Sequence, residues 1–165
     1  MCNTTLTTDQ IHKELDLIQD VIKRMASNSF EVKKWLIGIL SAIVVFSREE
    51  LLGGNIQLIG LLLVPVLCFW YLDAFFLSTE KLYREMYKWV IEYRSQTDKY
   101  LYDLNTMSRE FPADKVVDFF IPKNNVWHVM FSKTLLPFYL VPVVFIVAYA
   151  VMQYLSNCPV GCCGH

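Results

Sequence analysis

A chain of 165 residues could form one soluble domain, but 55% hydrophobic residues, 15% aromatics and a mean hydropathy of +0.35 place it among membrane proteins. The net charge of -1 conceals an asymmetry: of fifteen Lys and Arg, five precede Trp35, nine lie between Ser78 and Lys133, and only Arg48 lies elsewhere. Within 78–133 those nine bases meet eight acids, a near-balance that gives little support to a strong phosphate-binding patch.

The first residues, MCNTTLTTDQ, lack the charged, apolar and small-residue succession of a secretory signal, and Cys2 has no apolar region before it for a lipoprotein signal. Asn3-Thr4-Thr5 fits a glycosylation sequon, which matters only if this end is extracytoplasmic. The tip reads as disordered and cytoplasmic. Thr7 and Gln10 then have the spacing of a capping box. Ile11, Leu15, Ile18, Ile22 and Met25 follow at steps of four, three, four and three, a heptad seam on an N-terminal amphipathic helix within residues 1–34. That seam serves either packing on its own chain or self-association between subunits.

Ser27-Asn28-Ser29 interrupts the pattern with three side chains that compete for backbone hydrogen bonds. Lys33, Lys34 and Trp35 form an interface anchor before the first apolar block, Trp35 to Phe46. Its twelve residues reach roughly 18 Å against a hydrocarbon core of about 30 Å, so a crossing needs snorkelling lysines or a continuation of the helix. Ser47 to Asn55, SREELLGGN, predicts a tight turn. Ile56 to Leu77 is then a comfortable crossing apart from Asp73, with Pro65 as a kink. The two blocks make a transmembrane hairpin over 35–77, with spans 35–46 and 56–77. Cys68 reads as small apolar packing inside the second span.

From Ser78 to about Thr106 the pattern is helical, with Leu82, Met86, Trp89, Tyr93, Tyr100 and Leu104 along one face. Pro112 and Pro122 bracket a short second element, Ala113 to Ile121. A third apolar block, Thr134 to Leu155, is the clearest span. Three spans put residues 1–34 and 78–133 on one side, together with fourteen of the fifteen bases, and the positive-inside rule makes that side the cytoplasm. The expectation is an all-α integral membrane protein with three transmembrane helices, an N-terminal amphipathic helix and a helical cytoplasmic segment between spans 2 and 3. The tail 156–165 then lies outside.

No phosphate-cradling glycine loop, His-Glu metal motif or nucleophile elbow occurs, and the three histidines are far apart, so neither enzyme activity nor a cofactor nor a small-molecule substrate is expected. Cys158, Cys162, Cys163 and His165 match no standard zinc spacing, and the tail reads as a flexible end rather than a metal or disulfide site. Asp73 lies about 25 Å along the second span, near the cytoplasmic boundary. It is expected to pair with Lys33 or Lys34, or to face a water-filled path or an intersubunit contact.

The runs Ile18 to Phe30 (IQDVIKRMASNSF), Phe69 to Ala74 (FWYLDA), Leu82 to Tyr87 (LYREMY) and Phe131 to Tyr139 (FSKTLLPFY) resemble a group of small bacterial membrane proteins near the RipA family of octameric membrane proteins. The resemblance implies a homo-oligomeric protein of the bacterial inner membrane. Some proteins of this type look like membrane effectors of antiviral systems, switched by a cytosolic regulatory protein or a nucleotide or nucleic-acid signal; others look like envelope-maintenance factors. Two functions follow as expectations: a channel-like or membrane-perturbing effector, or a scaffold without a pore.

Overall fold

In a computed structural model, the structure describes residues 7–53, 56–106, 109–110, 116–117 and 125–156. Among these residues the structure is all-helical but for one minimal ladder. The helices are α1 (Thr8–Phe46), α2 (Arg48–Leu52), α3 (Ile56–Tyr93), α4 (Val126–Met130) and α5 (Leu136–Ser156). Between α3 and α4, β1 (Arg109–Glu110) and β2 (Val116–Val117) pair antiparallel, Arg109 opposite Val117 and Glu110 opposite Val116. The chain packs as two compact units: Met1–Phe30 with Ala74–Val129, and Glu31–Asp73 with Met130–His165. Both α1 and α3 therefore contribute a segment to each.

The first unit begins with a helix start fixed by side-chain chemistry. The Thr7 N–H donates to Gln10 Oε1 at 3.0 Å, the return half of a capping box. The core is Ile18 of α1 against Met86, Trp89 and Val90 of α3, with Leu15, Ile22, Leu82 and Tyr83 among the apolar groups around it. Full burial of side chains such as Ile18 and Val90 contributes on the order of 2 kcal/mol each. Three of the five seam residues, Leu15, Ile18 and Ile22, thus pack on the chain's own α3. Ile11 and Met25, at the two ends of the seam, are half-buried.

Two expectations need correction here. The helix predicted to Thr106 ends at Tyr93, passes through a 3-10 turn over Arg94–Gln96, and continues as turns with Tyr100 and Tyr102 at φ 62° and 60°. Ser95, Thr97 and Asp98 favour turns over helix interiors, and the Arg94 side chain collects the following carbonyls around itself. Conversely, Ser27-Asn28-Ser29 does not break α1, which runs unbroken from Thr8 to Phe46. Three weak helix formers cost about 0.5 kcal/mol each, less than buried neighbours such as Val32 and Leu36 return. The triplet instead marks where the first unit's share of α1 ends, at Phe30. Of the bracketed element 113–121, only Val116–Val117 is described, as strand.

In the second unit, Leu36, Val66, Trp70, Leu135 and Tyr139 are buried, and Leu51 with Leu62 packs against Leu40, Ile43 and Ile146. The expected tight turn after Phe46 contains a helix, α2. Glu49 and Glu50 sit in its first turn, where acids are favoured, and Leu51 gains a buried place against Leu62. Helix α3 continues through Pro65 without a break, although Pro65 cannot donate to the Leu61 carbonyl. Helix α5 starts two residues later than expected, because Ser132 to Leu135 form turns whose first carbonyl accepts from the Leu136 N–H at 2.9 Å. Pro137 then lies in the first turn, where its missing donor is no loss.

Among the described residues, two helices, α3 and α5, are long and apolar enough to cross a membrane. The third expected crossing, Trp35 to Phe46, belongs to α1, whose adjoining turn carries Glu31, Lys33 and Lys34. Much of the described surface of this unit is apolar. Phe46 is 88% exposed and Phe145 72%, and Val45, Leu61, Val64, Val144 and Met152 are more than half exposed. Large exposed apolar patches mark membrane or protein contact surfaces in general. Cys68, expected to pack inside, is exposed on α3. Asn3 and the cysteine tail lie outside the described residues.

Candidate functional site

Within the apolar second unit one charged cluster stands out. Asp73, the eighteenth residue of α3, is 0% exposed. A carboxylate in that position is costly unless its charge is matched and its lone pairs are used. A cation and a hydrogen-bond donor share one of its oxygens. Lys33 Nζ of α1 lies 2.5 Å from Asp73 Oδ2, and the Tyr139 hydroxyl of α5 donates to the same atom at 2.9 Å. Three helices therefore meet at one carboxylate.

Aromatic packing fixes the tyrosine. Trp70, one turn before Asp73, stacks on Tyr139 with ring centroids 5.8 Å apart and planes 4° apart. Its Nε1–H donates to the Met130 carbonyl at 2.9 Å, and Phe131 meets its edge at 5.7 Å. Lys33 Nζ also stands 6.0 Å from the centre of the Phe138 ring, within cation-π range. A lysine side chain with 26% of its surface exposed thus joins a fully buried acid to the outside of the unit.

Of the two lysines considered from sequence, Lys33 is the one placed on Asp73, while Lys34 pairs with Glu31 one turn earlier at 2.5 Å. The spacing explains the difference: adjacent helix residues point about 100° apart, so one reaches inward and its neighbour outward. Tyr139 and Trp70 were not singled out in the sequence. A weak signal was present, since Tyr139 is a hydroxyl at the start of an otherwise apolar span.

The first unit holds a second buried ion pair that sequence reading also missed. Arg94 and Glu14 are each 1% exposed and contact one another through Arg94 Nη2 and Glu14 Oε1. Arg94 Nη1 donates to the Lys99 carbonyl at 2.6 Å and Nη2 to the Tyr100 carbonyl at 3.2 Å, which ties down the loop after α3. The guanidinium lies 5.3 Å from the Trp89 ring centre. The signal was Glu14 itself, an acid on the apolar stripe between Ile11 and Ile18.

The chain matches no family model, no curated protein and no solved structure. What the site can do must therefore come from its own chemistry. Among the described residues, no three His, Cys, Asp or Glu side chains are grouped to hold a metal ion. The Asp73 cluster offers a charge-matched carboxylate, two hydrogen-bond donors and a stacked aromatic pair. That inventory suits a structural or switching contact between helices.

Proposed function

We propose that the chain is a homo-oligomeric bacterial inner-membrane protein, N-terminus in the cytoplasm and C-terminus outside, acting as a channel-like or membrane-perturbing effector in antiviral defence under control of a cytosolic signal or partner. The observation that carries this reading is the buried Lys33–Asp73–Tyr139 contact inside the apolar unit. An ionisable group held among membrane-crossing helices is expensive to keep and is the usual mark of a pathway or switch. Opening that contact changes how α1, α3 and α5 can pack, and α3 runs without a break from these residues to Tyr93 at the edge of the polar first unit. The three-crossing orientation rests on the fourteen bases it gathers on one side. The resemblance to the RipA family and to defence effectors supports the oligomer and the context.

The test is expression of the chain alone and with its genomic neighbours, following membrane potential with a dye. Depolarisation on triggering, lost in Asp73→Asn, is the expected result; a potential that never moves with the partner present refutes the effector. A second reading, a scaffold or envelope-homeostasis factor without a pore, is favoured by one observation. Polar groups of the second unit are spent inside the protomer: the Tyr149 hydroxyl donates to the Leu51 carbonyl at 2.8 Å and accepts from Gln153 Nε2 at 2.9 Å. A stable oligomer that never depolarises cells selects that reading.

A further inference from the structure

A cleft of about 340 Å³ opens on the second unit, walled by Val44, Leu51, Leu62, Phe145, Ile146 and Tyr149, with Arg48 as the one charged side chain of its lining. The volume falls within the usual range of small-molecule sites, roughly 300–1,000 Å³. Its walls are apolar, and the Tyr149 hydroxyl is already engaged with Leu51 and Gln153. The one group free to choose a ligand is therefore the Arg48 guanidinium. Arg48 is exposed and makes no ion pair among the described residues.

The position of Arg48 matters as much as its charge. It follows the apolar end of α1 and opens α2, a polar interval SREE between two apolar helices. On the reading of this unit as membrane-embedded, that interval lies at the level of the lipid headgroups, and Phe145 and Ile146 extend the cleft along α5 into the hydrocarbon. A cation at one level and an apolar trough beside it match an amphiphile with an anionic head and an alkyl tail. A guanidinium binds a phosphate diester through parallel hydrogen bonds, which an ammonium does less well.

We infer that this cleft binds one phospholipid, its phosphate on Arg48 and an acyl chain along Leu62, Phe145 and Ile146. The inference rests on the membrane reading proposed above. It differs from ordinary lipid solvation in depending on a single side chain.

The experiment places a photoreactive residue, Phe145→p-benzoylphenylalanine, in the full chain and reconstitutes it into nanodiscs of phosphatidylethanolamine and phosphatidylglycerol. Irradiation is expected to give an adduct with the mass of one intact phospholipid. Adding Arg48→Gln should lower its yield about tenfold, the loss of one charge-assisted contact. The same photoreactive group at Met152, exposed and outside the cleft, should label lipid with no dependence on Arg48. A Phe145 adduct insensitive to Arg48, or one with the mass of a second copy, overturns the lipid site while leaving the membrane reading intact. Failure of the chain to enter nanodiscs overturns both.

Discussion

Removing the charge of Lys33 should harm the protein more than removing the charge of Asp73, although the two residues form one ion pair. The reason lies in their exposure. Asp73 is 0% exposed, whereas 26% of the Lys33 side chain reaches the surface. Lys33→Met leaves a buried carboxylate with the Tyr139 hydroxyl but without the Lys33 ammonium, and breaking a buried pair from that side costs about 3–5 kcal/mol. Asp73→Asn keeps an oxygen for Tyr139 to donate to, and Lys33 can swing its ammonium outward along its four-carbon stem, so the loss is about 1–2 kcal/mol. The double variant should be more stable than Lys33→Met alone, because it removes the stranded charge. The assay is unfolding of detergent-solubilised protein by a denaturing surfactant, read by tryptophan fluorescence, to which Trp70 stacked on Tyr139 contributes a local signal. If Asp73→Asn costs as much as Lys33→Met, or if the two losses simply add, the stranded-charge reasoning is wrong.

Tyr139→Phe should cost about 1.5–3 kcal/mol, the value of one hydrogen bond to a charged group, while the ring stack on Trp70 and its emission persist; a neutral effect in the same unfolding assay would mean that the hydroxyl does not hold Asp73. In the first unit, Glu14→Gln leaves the Arg94 charge buried and should cost about 3–5 kcal/mol. The pair Glu14→Leu with Arg94→Met should regain much of that, yet amide exchange over 97–102 should stay fast, since no apolar side chain can hold the Lys99 and Tyr100 carbonyls. Ile18→Ala should destabilise by about 2–4 kcal/mol, against under about 1 kcal/mol for the half-buried Met25→Ala. Equal effects on stability, or dissociation of an oligomer by Met25→Ala alone, would assign the seam to contacts between subunits.

Periodicity made the helical class legible, because apolar stripes report a helix whatever it packs against. The two long apolar helices followed from length and composition alone. Boundaries were less legible where one side chain decides them. Arg94 ends α3 by gathering carbonyls from Lys99 and Tyr100, and a pattern of apolar residues running on to Leu104 carries no trace of that. Tyr100 and Leu104 do pack against the same core, but from a folded-back loop rather than along a continuing helix. The same face can be filled by either geometry. The pairing of Asp73 was legible since a lone acid in an apolar run must find a partner. Choosing Lys33 over Lys34 required the rotation of α1, and the Tyr139 donor came from a helix far away in sequence.

Two ion pairs, Glu14–Arg94 in the first unit and Lys33–Asp73 in the second, fix the direction in which α1 pairs with α3 in each. In the first unit Glu14 of α1 meets Arg94, the residue just past the end of α3, and Ile18 meets Met86, Trp89 and Val90 of α3, so successive α1 residues meet earlier residues of that segment. In the second unit Lys33 meets Asp73, and Leu40 and Ile43 pack near Leu62, again with the order reversed. Each unit by itself is antiparallel, and the sign of the α1 charge changes between them. A parallel arrangement would set Glu14 towards Asp73 and Lys33 towards Arg94, placing like charges together in apolar surroundings at a cost of several kcal/mol. Yet sign alone does not define either pair. Asp73 also accepts from the Tyr139 hydroxyl, and Arg94 also donates to backbone carbonyls, so each charge is matched to neighbours of one polarity. The exchange Lys33→Asp with Asp73→Lys keeps the attraction but puts the long ammonium stem on the fully buried side and forces the Tyr139 hydroxyl to turn from donor to acceptor, and it should recover less than half of the stability lost in Lys33→Met. Recovery to the original stability in the surfactant assay would show that Coulomb attraction suffices and that the surroundings of Asp73 contribute nothing.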